Sequence, residues 1–185
     1  MDDSRRASLE RLLDRYAAAG EVETADVARL RAALAGDAWS RASALHVTGS
    51  ALVVHPATRT VLLRWHPRMQ AWLQVGGHFD PGEDDAFDVA VREAREETGL
   101  GDLHALPEQG GRPLHVVIVS VPAHGDEPAH EHADVRYLLA TDRPDDITAE
   151  SAEAVLRWQS LDDAVRGVSE GNLRVSLERA RDALT

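Results

Sequence analysis

One stretch constrains this chain more than any other: GGHFDPGEDDAFDVAVREAREETGL, residues 76–100. Asp85 carries the short acceptor side chain favoured at a helix N-cap, with Asp88 three residues on as a weak capping-box partner. Gly99 suits the left-handed position that closes a helix. The residues between them are therefore expected to be helical. At about 100° per residue, Phe87, Ala90, Val91, Ala94 and Thr98 fall in one arc, an apolar stripe suited to packing on a sheet. Asp88, Arg92 and Arg95 occupy a second, charge-balanced arc. Glu93, Glu96 and Glu97 form a third that is purely acidic.

The acidic arc is costly. Glu93 and Glu97 are like charges four residues apart, opposing the helix by roughly 0.2–0.5 kcal/mol. Glu96 and Glu97 also stand in the last turn against the negative pole of the macrodipole, at roughly 0.3–1 kcal/mol each. Arg92 relieves Glu96 from the flank, but the helix places no cation within the arc. A hard divalent ion such as Mg²⁺, which takes oxygen ligands, would reverse the sign of these terms. The bland alternative is a solvated acidic face. The preceding segment favours the ion: Gly76 and Gly77 free the backbone for close approach, and Pro81-Gly82 turns the chain into the helix.

Composition narrows the chemistry. The chain has 185 residues, no cysteine and 20 basic residues, every one of them arginine. Disulfides, thiolate ligands, cysteine nucleophiles, Schiff-base lysines and a P-loop lysine are thereby excluded. A net charge of −12 disfavours nucleic-acid polymers and anionic membranes. A small phosphorylated substrate remains compatible, provided that arginine or a divalent metal receives it. No apolar run approaches the roughly 20 residues that span a bilayer, and the N-terminus lacks a signal-peptide h-region. Cytoplasmic localisation is the expectation.

Along the chain, residues 4–36 read as two helices. Leu9, Leu12, Leu13 and Tyr16 form one stripe, Gly20 stops the first helix, and Thr24 is a cap for a second carrying Val27, Leu30 and Leu34. This hairpin, residues 1–40, is expected to dock on the main domain, residues 41–185, or on a second subunit in a homodimer. From residue 44 the pattern becomes β-rich. ALHVTGSALVVH and TVLLRWH are joined by PATR as a hairpin, and AWLQV is a third strand. PLHVVIVSVP, ADVRYLLAT and AVLRWQ follow the acidic helix. In ADVRYLLAT, Ala133, Val135, Tyr137 and Leu139 alternate with His132, Asp134 and Arg136, which predicts one buried and one polar face. Ser160 and Asp163 form a capping box, and a last helix begins near Asn172. PAHGDEPAHEH is expected to be the most mobile loop. The interleaved elements predict an α/β (α+β) sandwich around a mixed sheet.

The acidic stretch resembles the Nudix box, G-x5-E-x7-R-E-U-x-E-E-x-G-U with U apolar. Gly77, Glu83, Arg92, Glu93, Ala94, Glu96, Glu97, Gly99 and Leu100 fill it. It departs once: eight residues, 84–91, separate Glu83 from Arg92 where the pattern has seven. With Asp85 as the cap, the extra residue belongs in the loop, at Asp84, and the contact it puts in question is that of Glu83 with Arg92. The likeness spans about residues 44–165. It implies the Nudix α/β/α sandwich and metal-dependent hydrolysis of a nucleoside diphosphate linked to another group, a nucleotide sugar, ADP-ribose or non-standard nucleoside triphosphate among them. It further implies Mg²⁺ or Mn²⁺ on Glu93 and Glu97, with Glu96 and the Gly77 carbonyl beside them, and Arg92 orienting the glutamates. The general base is Glu93 or a carboxylate from elsewhere, for which Glu150 and Glu153 are candidates, Glu131 a weaker one, and Glu83 is a further candidate base or ligand.

Arg64, Arg68 and Arg136 are the arginines placed to clamp a diphosphate, with surface pairing to Asp and Glu as the alternative. His78, in the box loop, is placed to line the site and contact substrate. His130 and His132 share a strand face as a possible chelate, or are solvated residues at a loop boundary. Trp65 and Trp72 stack on a base or belong to the core. Two other functions compete with hydrolysis. A non-catalytic Nudix module that senses a nucleotide for a partner would ordinarily lose box glutamates, and all are present. Chemistry like that of isopentenyl-diphosphate isomerase wants a cysteine.

Overall fold

The computed structural model describes residues 2–185. Its centre is β1 (Leu45–His55), which runs parallel to β7 (His130–Ala140) with Val47 opposite Ala133 and Val53 opposite Leu139. On its other side β1 is shared. Its C-terminal end pairs with β2 (Thr60–His66) from Val53 to His55, and Thr48–Ala51 pair with β4 (Val75–His78). The expected AWLQV strand is thus broken at Gln74: β3 (Ala71–Leu73) pairs with β2 and β4 with β1. This ribbon fills the fork where β1 and β2 separate. Short β5 (His104–Ala105) and β6 (His115–Val121) lie beyond β7, and β8 (Leu156–Ser160) lies beyond β2.

Helices cover both faces, giving the α/β/α sandwich. α3 (Ala86–Thr98) packs Val89, Ala90 and Ala94 on Val47, Val53, Val135 and Tyr137. α4 (Leu161–Gly167) and α5 (Gly171–Ala183) bury Leu161, Ala164, Leu173 and Leu177 on Leu52, Val54, Val61 and Leu138. The period-2 alternation of side chains divides β1 and β7 between the two cores. The caps read from the sequence are present: Asp85 accepts from Phe87 N–H, Gly99 is left-handed at φ 70°, and Ser160 accepts from Asp163 N–H.

α1 (Asp2–Arg15) and α2 (Gly20–Ala33) form the N-terminal hairpin, which docks on its own chain, with Leu9, Leu13, Leu30 and Leu34 in the core shared with α3. Thr24 is not the cap: it lies one turn inside α2 and donates to the Gly20 carbonyl, while the Glu23 carboxylate accepts from Ala19 N–H. The docking closes the outer edge of β6. Val116 N–H reaches Tyr16 Oη at 3.1 Å and Ile118 N–H reaches Asp26 Oδ2 at 3.0 Å. A free strand edge recruits other strands, so side-chain acceptors at this edge remove a site of aggregation. Glu23 is buried and anchored by Arg179 of α5 (2.7 Å), and by Tyr16.

One expectation about β7 is corrected. Its even-numbered face is buried as deeply as its odd one, with Asp134 5% and Arg136 2% exposed, because β7 is central and covered on both sides. The loop expected to be most mobile closes in a tight turn, His124 pairing with Glu127. No helix among the described residues is long and apolar enough to cross a membrane.

Candidate active site

On the even face of β1 and β7 the side chains change from apolar to polar along the strands. Leu52, Val54, Leu138 and Ala140 lie under α4 and α5, whereas Thr48, Ser50, Asp134 and Arg136 line a cavity of about 320 Å³. The change falls at the N-terminus of α5, where Glu170 and Asn172 join the lining. Gly76, Gly77 and His78 form another wall.

Asp134 organises the floor. It accepts from Thr48 Oγ1 (3.0 Å), Ser50 Oγ (2.9 Å), Gln74 Nε2 (3.1 Å) and Arg136 Nε (2.8 Å). Arg136 spends its other nitrogens on Ser176 Oγ (3.1 Å) and Asn172 Oδ1 (2.8 Å). The reading of Arg136 as a free phosphate clamp is therefore corrected: each of its nitrogens already has a protein acceptor, and it ties β7 to α5. Sequence reasoning missed Asp134 as the hub, although its place two residues from Arg136 on one strand face was the available signal.

On the far side of the Gly76–Gly77 backbone stand the glutamates of α3. Val89 falls in the same arc as Glu93 and Glu97 and is fully buried, so this face of α3 packs on β1 and β4 instead of facing solvent. Three glycines receive it. A Cβ at Gly49 would collide with the Ala86 carbonyl and crowd Val89, one at Gly77 would collide with the Glu93 carboxylate, and Gly76 N–H donates to Glu97 Oε2 at 3.1 Å. Burial raises the Glu97 pKa to about 7, against the opposing pull of Arg64 and Gly76 N–H. Burial also raises that of Glu93, opposed by Arg92. Glu96 points outward, with its side chain 57% exposed.

The ridge is not without protein cations: one comes from the flank of α3 itself and reaches Glu93 as well as Glu96, and another comes from β2. Arg64, on β2, donates to Glu97 at 2.5 Å and also holds Glu150. Arg92 donates to Glu93 and Glu96, each at 3.0 Å, and to the His78 carbonyl at 2.9 Å. Glu83 keeps its contact with Arg92 despite the extra loop residue, through Arg92 Nε to Oε1 at 2.6 Å and Nη2 to Oε2 at 3.0 Å. Asp84, the extra residue, turns outward and accepts from Ser4 Oγ at 2.6 Å.

Other residues singled out from the sequence separate clearly. Arg68 lines the cavity, bonded to Glu127 at 2.5 Å and to the Pro122 carbonyl. The Nε atoms of Arg64 and Arg68 are buried without an acceptor among the described residues. Glu153 is exposed and is not brought to the ridge, whereas Glu150 is. Glu131 pairs with Arg29 of α2 at 2.5 Å. Trp65 and Trp72 pack edge to face with centroids 5.6 Å apart, and Arg157 covers Trp72. They line a smaller depression and not the main cavity. His78 and His132 are held neutral, at about 3 and about 4, by burial and then by neighbouring imidazoles.

A sandwich with a box arginine gripping carboxylates at the end of a helix, and a cavity behind the adjoining glycines, defines a Nudix-type hydrolase. The family model of the NUDIX domain matches residues 44–179, and the chain belongs to that family. A NUDIX-family hydrolase from Clostridium perfringens superposes with TM-score 0.58 at 25% identity, covering 76% of this chain and 98% of that one. A C. elegans Ap4A hydrolase in a binary complex gives 0.57 at 21% identity, over 75% of this chain and 96% of that one. The E. coli dihydroneopterin triphosphate pyrophosphohydrolase gives 0.58 at 17%, over 74% and 95%. Curated protein sequences give no match.

Proposed function

We propose that the protein is a metal-dependent diphosphohydrolase acting on a nucleoside diphosphate joined to a further group. The observation that carries this reading is the burial of two carboxylates, Glu93 and Glu97, against the glycine backbone that also walls the cavity. Burial raises the Glu97 pKa to about 7 in spite of its bonds from Arg64 and Gly76 N–H, so those partners only partly offset the loss of hydration, and a hard cation suits the site. The donor set fits Mg²⁺ or Mn²⁺: Glu93, Glu97 and the Gly77 carbonyl would hold the ion, with Glu96 beside them. When bound, such an ion neutralises phosphoryl charge and lowers the pKa of the attacking water.

The chain's own groups supply the rest. Arg92 fixes the Glu93 carboxylate and, through the His78 carbonyl, the end of β4. Arg68 lines the cavity with its Nε unused, a donor suited to a phosphoryl oxygen. Glu150 is held by Arg64 through one oxygen, so its other oxygen is available to take a proton from water. Gln74 Oε1, a buried acceptor without a partner among the described residues, sits in the cavity wall, where it suits a donor on the substrate.

A panel of nucleotide sugars, ADP-ribose and non-standard nucleoside triphosphates, assayed with and without Mg²⁺ or Mn²⁺, tests this. Metal-dependent release of a nucleoside monophosphate, or of pyrophosphate from a triphosphate, is expected, with a loss of at least about 10²-fold in Glu97→Gln. Equal turnover in EDTA overturns the mechanism.

A further inference from the structure

Four imidazoles converge beside the cavity, apart from the glutamates. They come from three neighbouring strands: His46 on β1 is in register with His132 on β7, and His78 on β4 lies opposite Thr48. His46 Nε2 is 3.0 Å from His78 Nε2, and His130 Nε2 is 3.2 Å from His132 Nε2. One ring nitrogen each of His46, His130 and His132 lies within 4.8 Å of the others. The His46 ring centroid is 5.0, 5.1 and 4.8 Å from those of His78, His130 and His132.

Packing alone does not account for this cluster. His46 is buried, and the His130 side chain is 6% exposed, at positions where a sheet ordinarily places apolar residues. The tautomers are set from outside. His46 Nδ1 lies 3.0 Å from the Ser43 carbonyl and His130 Nδ1 2.9 Å from the Pro128 carbonyl. A carbonyl accepts only from an N–H, so both rings carry their proton on Nδ1 and aim an Nε2 lone pair into the cluster. This is the outer-shell arrangement that fixes metal-binding histidines. The His130–His132 Nε2 separation of 3.2 Å is close to the edge of a zinc tetrahedron, about 3.3 Å for Zn–N of about 2.0–2.1 Å.

We propose that His46, His130 and His132 bind a borderline divalent transition metal, Zn²⁺ in the first instance, at a site separate from the carboxylate ridge, with the His78 ring packed beside them. An all-imidazole donor set selects zinc, nickel or cobalt, whereas Mg²⁺ takes oxygen. The ion clamps β1 to β7 beside the cavity. His78, whose carbonyl receives Arg92, packs its ring on His46 and so joins the site to the strand that carries Gly77. Glu127 Oε1, 3.6 Å from His130 Nε2, is the nearest carboxylate oxygen to that ring and is tied to the cavity through Arg68.

Cobalt titration of the tag-free, chelator-stripped protein tests the site, because tetrahedral nitrogen-bound Co²⁺ absorbs strongly in the visible and oxygen-bound octahedral Co²⁺ only weakly. About one equivalent of Co²⁺ is expected to give the intense band, and Zn²⁺ to displace it. The band is expected to persist in Glu93→Gln/Glu97→Gln and to vanish in His46→Gln/His132→Gln, with folding followed by circular dichroism. Should that double variant unfold, His130→Gln is the substitute, and at least about 10-fold weaker Zn²⁺ binding is expected of it. Absence of the band in the wild type overturns the proposal, as does a band lost with the glutamates and kept without the histidines. The readout is independent of turnover, so failure of the hydrolase reading leaves it intact.

Discussion

Arg92 grips Glu83 across the box loop by two parallel bonds, 2.6 and 3.0 Å long, while the extra residue Asp84 points away to Ser4. The loop absorbs the insertion and the pair is kept. Deleting Asp84 is expected to cost less than about 1 kcal/mol, since loop length is thermodynamically cheap, and to leave turnover within about threefold. Arg92→Lys loses the fork and is expected to reduce kcat by about 10²-fold. Steady-state kinetics and urea denaturation check both; an inactive Asp84 deletion would make the insertion part of the site.

Gly76 and Gly77 should respond differently to alanine. At Gly76, φ is 149° and a Cβ would strike the Ser50 Cα and Cβ and the Gly49 carbonyl, which cannot yield. Gly76→Ala is expected to destabilise by about 1–3 kcal/mol or more. At Gly77 the obstacle is only the Glu93 carboxylate, the end of a flexible side chain. Gly77→Ala is expected to fold with a loss under about 1 kcal/mol and yet to lose about 10²-fold in kcat, because it moves a carboxylate of the site. Thermal melts and kinetics on the two variants separate these outcomes.

The Glu23–Arg179 pair predicts acid sensitivity. Burial pushes the Glu23 pKa up, but the bonds from Arg179, Tyr16 and Ala19 N–H prevail and take it from 4.5 to about 2. A carboxylate depressed in the native state stabilises above its unfolded value, and that contribution is lost as pH falls through the folded one. Glu23→Gln is expected to cost about 3 kcal/mol at pH 7, and its difference from wild type should close between pH 4.5 and 2. Urea denaturation at pH 7, 4 and 2.5 tests the trend; a gap that widens on acidification contradicts it.

Removal of residues 1–36 should expose the β6 edge, where Val116 and Ile118 N–H now reach Tyr16 and Asp26. The truncated chain is expected to self-associate, as light scattering would detect, whereas the whole chain should not by this edge. A monodisperse truncated protein would show that the hairpin has no such role.

Local signals in the sequence were sufficient for much of this molecule. Asp85 and Gly99 delimit α3 because caps satisfy orphan backbone groups within one turn. The alternation of Ala133, Val135, Tyr137 and Leu139 marked a strand, but one strand's pattern does not reveal that a second layer covers its polar side. Thr24 misled because a hydroxyl inside a helix serves its own backbone as readily as one at the cap.

The sequence alone determined the acidic helix and its register, the β-rich succession that follows the hairpin and the identity of the glutamates, since these depend on neighbours a few residues apart. Only the tertiary structure decided which arginine reaches Glu97, that Arg136 is spent on Asp134 and α5, and that four histidines from three strands meet. The contacts of Arg64 with Glu97, Arg136 with Asn172 and His46 with His78 each span more than thirty residues. They depend on strand order and register, which no local pattern encodes.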